Sequence, residues 1–163
     1  ESGHYFWDRL VRDSAWLADF RALFGDERAD YAAALERHYA AGAPVEWRGC
    51  WISAYAASHP WEDWAETWAH YLHMIDTLET AEDYELTIRR EPVHSAGSPA
   101  LATGLRENDF ERLFADWVRL TTAMNAISRS MGLTDAYPFA LNPLAARKLG
   151  FVHALVQCMR EPE

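Results

Sequence analysis

The sequence predicts an all-α fold, a single compact bundle of about six helices formed by residues 1–163. Three observations predict it. Apolar residues recur at three- and four-residue spacing over long stretches, and no stretch alternates apolar with polar as a half-buried strand does. These stretches are punctuated by helix starts and stops, with Pro60 and Pro143 at first-turn positions and Gly25, Gly42 and Gly132 at ends. Half of the residues are hydrophobic and eight are Trp, enough for a sizeable core.

Taken in order, the pattern from Tyr5 to Val11 is helical, and Ser14 can cap a second helix, Ala15 to Phe24, that stops at Gly25. Asp26 is expected to open a third helix through Tyr39, with Tyr31, Leu35 and Tyr39 as a scaffold stripe and Gly42 as its stop. Periodicity fails from Ala43 to Ser58, which reads as a loop around Pro44, Gly49 and Cys50. The central helix starts with His59 as N-cap and Pro60 at the first helical position, and runs to about Thr80. Glu62 and Asp63 complement its dipole. A breaker-rich loop lies between Arg89 and Leu105. Asn108 caps a helix to Ser130 with Phe110, Phe114, Trp117, Leu120, Met124 and Ile127 as its stripe, and Asn142-Pro143 starts a last helix from Leu144 to Met159. His153, within it, reads as an ordinary core or surface histidine.

The densest chemistry lies in His59-Pro60-Trp61-Glu62-Asp63-Trp64-Ala65-Glu66-Thr67-Trp68-Ala69-His70-Tyr71-Leu72-His73. At about 100° per residue, Trp61, Trp64, Trp68, Tyr71, Leu72 and Ile75 share a sector roughly 100° wide, and Glu62, Glu66, His70 and His73 share another of about 80°. One sector is core; the other is a row of potential metal ligands. Glu66, His70 and His73 also have a spacing that could hold an ion on this helix alone.

The chain begins Glu1-Ser2-Gly3-His4, the last four letters of the zinc-peptidase motif H-E-x-x-H without its leading His. In that motif two histidines one turn apart aim at one Zn²⁺, and the Glu beside the first serves as general base. Together, Gly3-His4-Tyr5-Phe6-Trp7-Asp8, Phe20-Arg21-Ala22-Leu23-Phe24-Gly25-Asp26-Glu27 and His59-Pro60-Trp61-Glu62-Asp63-Trp64-Ala65-Glu66 resemble the bacterial family called putative zinc-binding metallopeptidases. The resemblance covers nearly the whole chain. It implies a zincin whose helical C-terminal portion is this domain, acting on peptide or protein substrates. It further implies Zn²⁺ as cofactor, His4 and Glu62 as metal ligands, Glu1 as general base, Glu66 as the outer acid that orients His4, and Tyr55 as donor to the oxyanion. The family carries the full motif, often behind a cysteine-ligated zinc ribbon; neither the first His nor a Cys-x-x-Cys stands here. The chain is thus expected to be truncated inside the motif and to be inactive or nearly so by itself. The competing expectation is a non-catalytic helical binding module with a relic metal site.

Charge narrows the partners further. A formal net charge of −10 and the scarcity of Lys leave no basic run for phosphates, which argues against nucleic acid and anionic membranes. No apolar run approaches the roughly 20 residues needed to span a bilayer. Cys50 and Cys158 are isolated, so neither a disulfide framework nor a cysteine zinc site is expected, and a cytoplasmic location fits.

Overall fold

The computed structural model describes residues 2–86, 107–139 and 141–160. Among these residues there are seven α-helices, one 3₁₀ turn and no strand, in agreement with the all-α expectation. The helices are α1 (Ser2–Leu10), α2 (Leu17–Phe24), α3 (Tyr31–Ala41), α4 (Trp47–Cys50), α5 (Pro60–Asp83), α6 (Glu107–Ser130) and α7 (Pro143–Arg160), with the 3₁₀ turn at Ala56–Ser58. The breaker-rich loop between Arg89 and Leu105 lies outside the described residues, as does Glu1.

Packing divides the chain into two units, one of Glu1–Leu72 with Phe139–Glu163 and one of His73–Pro138. The first holds His4, Tyr55, Glu62, Glu66 and His70, and His73 opens the second. Its core is aromatic: Trp64 touches Phe20, Phe24, Trp68 and Phe151, and Phe20 stacks on Phe24 at 4.9 Å. In the second unit Phe110, Trp117 and Leu120 are buried, and Asn125 holds the Tyr137 turn by a hydrogen bond in each direction.

Local capping accounts for several helix limits, though α2 starts after Trp16 with no side-chain cap where Ser14 was expected to supply one. Asn142 Oδ1 accepts from Ala145 N–H at 2.8 Å to start α7, while its amide group donates to the carbonyls of Arg48 in α4 and Trp51 just after it. Gly25 and Gly42 close α2 and α3 at φ values of 105° and 76°, a region that side chains with a Cβ resist. The start of α3 differs from expectation. Asp26 gives its carboxylate to Arg28, and Asp30 is the residue that caps, accepting from Ala33 N–H at 3.0 Å. Within the expected loop from Ala43 to Ser58, one turn of α-helix and the 3₁₀ turn form; such short segments carry no period to read.

Two burial expectations are corrected. Leu72 and Ile127 were placed in core stripes by periodicity, yet both are exposed. Asp63, read as a dipole-complementing acid, is fully buried in an ion pair with Lys148 of α7, Nζ to Oδ2 at 2.6 Å. Lys148 also donates to the Cys50 carbonyl and lies over the Phe24 and Trp51 rings. Burial pushes the Asp63 carboxyl upward, against the downward pull of Lys148. This pair ties α5 to α7 one residue beyond Glu62.

Candidate metal centre

The site is formed where α1 crosses α5. Gly3 permits the crossing: a Cβ built on it would come 2.7 Å from the Ala65 Cα, so the two backbones meet where only glycine fits. Trp64 Nε1 donates to the Gly3 carbonyl at 2.7 Å, and Phe6 stacks on Trp68 at 4.7 Å, which fixes α1 along α5. His4, next to Gly3, is thereby set against the first turn of α5, its ring 4.3 Å from that of Trp61.

There His4 Nε2 lies 3.2 Å from Glu62 Oε1, and both side chains are largely withdrawn from water. The contact is not a hydrogen bond. His4 Nε2 is buried and has no hydrogen-bond partner, although a carboxylate oxygen sits within reach. Polar atoms left this way are uncommon in folded proteins, and an ion between them is one resolution.

Glu62 Oε1 has a second neighbour that the sequence did not identify. Tyr31, the first residue of α3, donates its hydroxyl to that oxygen at 2.7 Å. The hydrogen bond to Glu62, with burial, raises the Tyr31 pKa well above the ordinary phenol range. The available signal was the Tyr31, Leu35, Tyr39 stripe, which reads as scaffold because helical spacing cannot show which partner a phenol meets. Tyr39 is in fact exposed.

His59 organises this corner. Its Nδ1 accepts from Trp61 N–H at 3.1 Å, capping α5 as expected, so the proton is on Nε2, which donates to the Ala29 carbonyl at 3.0 Å. Both nitrogens are committed, which makes His59 structural and joins the start of α3 to the start of α5.

Of the other sequence candidates, Tyr55 lies before the 3₁₀ turn, and its pKa is pushed up to about 12, first by burial and then by the charge of Glu62 and by Tyr39. Glu66 was expected to accept from the other nitrogen of His4; its hydrogen bond among the described residues is instead from Ser53 Oγ, at 2.8 Å. Ser53 also accepts from Ala56 N–H, so Glu66 holds the segment that carries Tyr55. Glu66, His70 and His73 do not gather: the His70 ring is edge-on to Phe139, and His73 is exposed. His153 is buried and within 3.2 Å of the Tyr71 hydroxyl, a core position.

The donor set can be compared with zinc. Two tetrahedral ligands, each about 2.0–2.2 Å from the ion, lie roughly 3.3–3.5 Å apart, and imidazole plus carboxylate is a common zinc combination. The 3.2 Å separation, with the His4 nitrogen free of any hydrogen bond, fits that arrangement. Among the described residues no group of three or more His, Cys, Asp or Glu side chains could hold a metal; His4 and Glu62 are a pair.

Comparison with known proteins identifies the family. The model of the family described as putative zinc-binding metallo-peptidase matches residues 1–155. Uncharacterized proteins of Mycobacterium bovis and of two strains of Mycobacterium tuberculosis are similar to the chain, each 41% identical over 161 residues that cover 96% of it and 44% of the relative. The chain therefore spans less than half the length of the curated relatives it matches. No solved structure matches it. With nearly its whole length matched, and with His4 and Glu62 meeting at one point, the chain belongs to the putative zinc-binding metallo-peptidase family.

Proposed function

We propose that this chain is part of a zinc-dependent metallopeptidase that hydrolyses peptide bonds, and that in the full-length protein a histidine precedes Glu1 to complete the ligand set with His4 and Glu62. The observation that carries the proposal is the buried His4 Nε2 facing Glu62 Oε1 at 3.2 Å with no hydrogen bond. Bound zinc supplies Lewis acidity, which activates water and polarises the scissile carbonyl.

The protein's own groups then have distinct tasks. Glu1 accepts the proton of the attacking water and returns it to the leaving amine. Tyr55, whose phenol is protonated at neutral pH as any tyrosine's is, donates to the developing oxyanion. Glu66 acts through Ser53 to hold the Tyr55 segment in place. Trp64 and Trp68, buried in the core, fix the roll of α5 and so the direction of Glu62. Two free cysteines are compatible with a cytoplasmic enzyme. Among the described residues no helix is long and apolar enough to cross a membrane.

The test is hydrolysis of a diverse peptide library by the full-length protein. Turnover is expected, with loss on chelation and restoration by zinc. Glu1→Gln should abolish it while zinc is retained, because only the base is lost. A protein that binds zinc at this site and cleaves nothing in the library would instead be a binding module.

A further inference from the structure

Glu62 Oε1 is shared by two groups, the Tyr31 hydroxyl at 2.7 Å and His4 Nε2 at 3.2 Å. Only the first is a hydrogen bond. We propose that Tyr31 is a positioning residue for the metal centre: its phenol holds the Glu62 carboxylate turned toward His4, so that the two ligand atoms converge before an ion arrives. The inference rests on the zinc reading of His4 and Glu62.

The Tyr31 hydroxyl can act as a fixed point because its ring is held on two sides. It is edge-on to His59 at 5.2 Å and to Trp61 at 6.0 Å. His59 is itself locked at both ring nitrogens, Nδ1 accepting from the Trp61 amide and Nε2 donating to the carbonyl of Ala29, two residues before Tyr31. The Tyr31 backbone is set by the Asp30 cap. Rotation about the ring axis leaves the phenol oxygen in place, so the donor stays opposite Glu62.

The carboxylate has the greater need of that constraint. Glu62 is buried, and a glutamate side chain has three rotatable bonds, so an unheld carboxylate would have many directions in which to turn. Donation from Tyr31 satisfies one lone pair of Oε1 and leaves the other for a ligand. Hydrogen bonds of this kind to metal-ligating groups are worth roughly 10–100-fold in metal affinity. Tyr55 lies in the same corner, yet the direct hydrogen bond to Glu62 belongs to Tyr31.

The test is zinc affinity of the full-length protein, measured by competition with a chromophoric chelator, with unfolding of the metal-free protein followed in parallel. Tyr31→Phe, which removes one oxygen and keeps the ring, should bind zinc roughly 10–100-fold more weakly, with little change in metal-free stability. Tyr84→Phe, which removes an exposed phenol elsewhere, should bind as wild type does. Asn142→Ala, which removes the cap of α7 and leaves the Tyr31 phenol and its α3 cap untouched, should lower stability and leave affinity unchanged. Equal affinity in Tyr31→Phe and wild type overturns the inference and leaves the zinc site standing. An affinity loss in Asn142→Ala as large as in Tyr31→Phe also overturns it, since the role would then be structural. A wild-type protein that binds no zinc removes both the inference and the reading beneath it.

Discussion

His4 Nε2 and Glu62 Oε1 face each other at 3.2 Å from two different helices, with the nitrogen buried and making no hydrogen bond. Tight packing ordinarily pairs such atoms or sends them to water. The arrangement is held from three directions: by the α1–α5 crossing at Gly3, by the Tyr31 hydrogen bond and by the Asp63–Lys148 ion pair behind Glu62.

The crossing gives the first prediction. Gly3→Ala places a Cβ 2.7 Å from the Ala65 Cα, a backbone atom that cannot rotate away. The helices must separate, with an expected loss of about 1–3 kcal/mol in denaturant unfolding and weaker zinc binding through the displaced His4. Wild-type stability in this variant would show that the crossing is looser than described.

The ion pair gives the second. Lys148→Met leaves the Asp63 carboxylate buried without its partner and should destabilise by about 3–5 kcal/mol. The double variant Asp63→Leu/Lys148→Met removes both charges and should recover much of that loss. Urea titrations of the two variants measure the difference; a double variant less stable than the single one would contradict the electrostatic explanation.

These two relationships mark where the sequence could be read and where it could not. Capping is local, so His59-Pro60, Gly25, Gly42 and Asn142-Pro143 announced their helix ends within a few residues. Asp26 misled because two nearby aspartates were both able to cap, and the choice between them turned on Arg28 taking the first. Asp63 looked like a solvated first-turn acid because its partner is 85 residues away in sequence. Tyr31 was hidden in the same way, since the hydrogen bond to Glu62 spans 31 residues. The approach of His4 to Glu62 was legible because the family motif restricts residue type and spacing more than packing does.

Glu66 gives a third prediction. Its bond to Ser53 ties down the Tyr55 segment rather than the His4 ring, so Glu66→Ala should lose about 1 kcal/mol of stability. Ser53→Ala should lose a similar amount, and zinc affinity should be retained in both. A collapse of zinc binding in Glu66→Ala alone would restore it to the role of orienting His4.

Ligand count gives the fourth. Two protein ligands hold zinc weakly, so residues 1–163 alone should bind it far less tightly than a protein with a histidine before Glu1. Glu62→Ala in the longer protein should lose the metal, read by metal content after dialysis. Full occupancy in that variant would place the zinc elsewhere.

The central claim is that His4 and Glu62 share one ion, and anomalous diffraction at the zinc edge from crystals of the zinc-loaded full-length protein tests it most directly. The account predicts a single peak within about 2.0–2.2 Å of both His4 Nε2 and a Glu62 carboxylate oxygen. A peak bound by other residues, or zinc-saturated crystals with no peak between these two side chains, would contradict it.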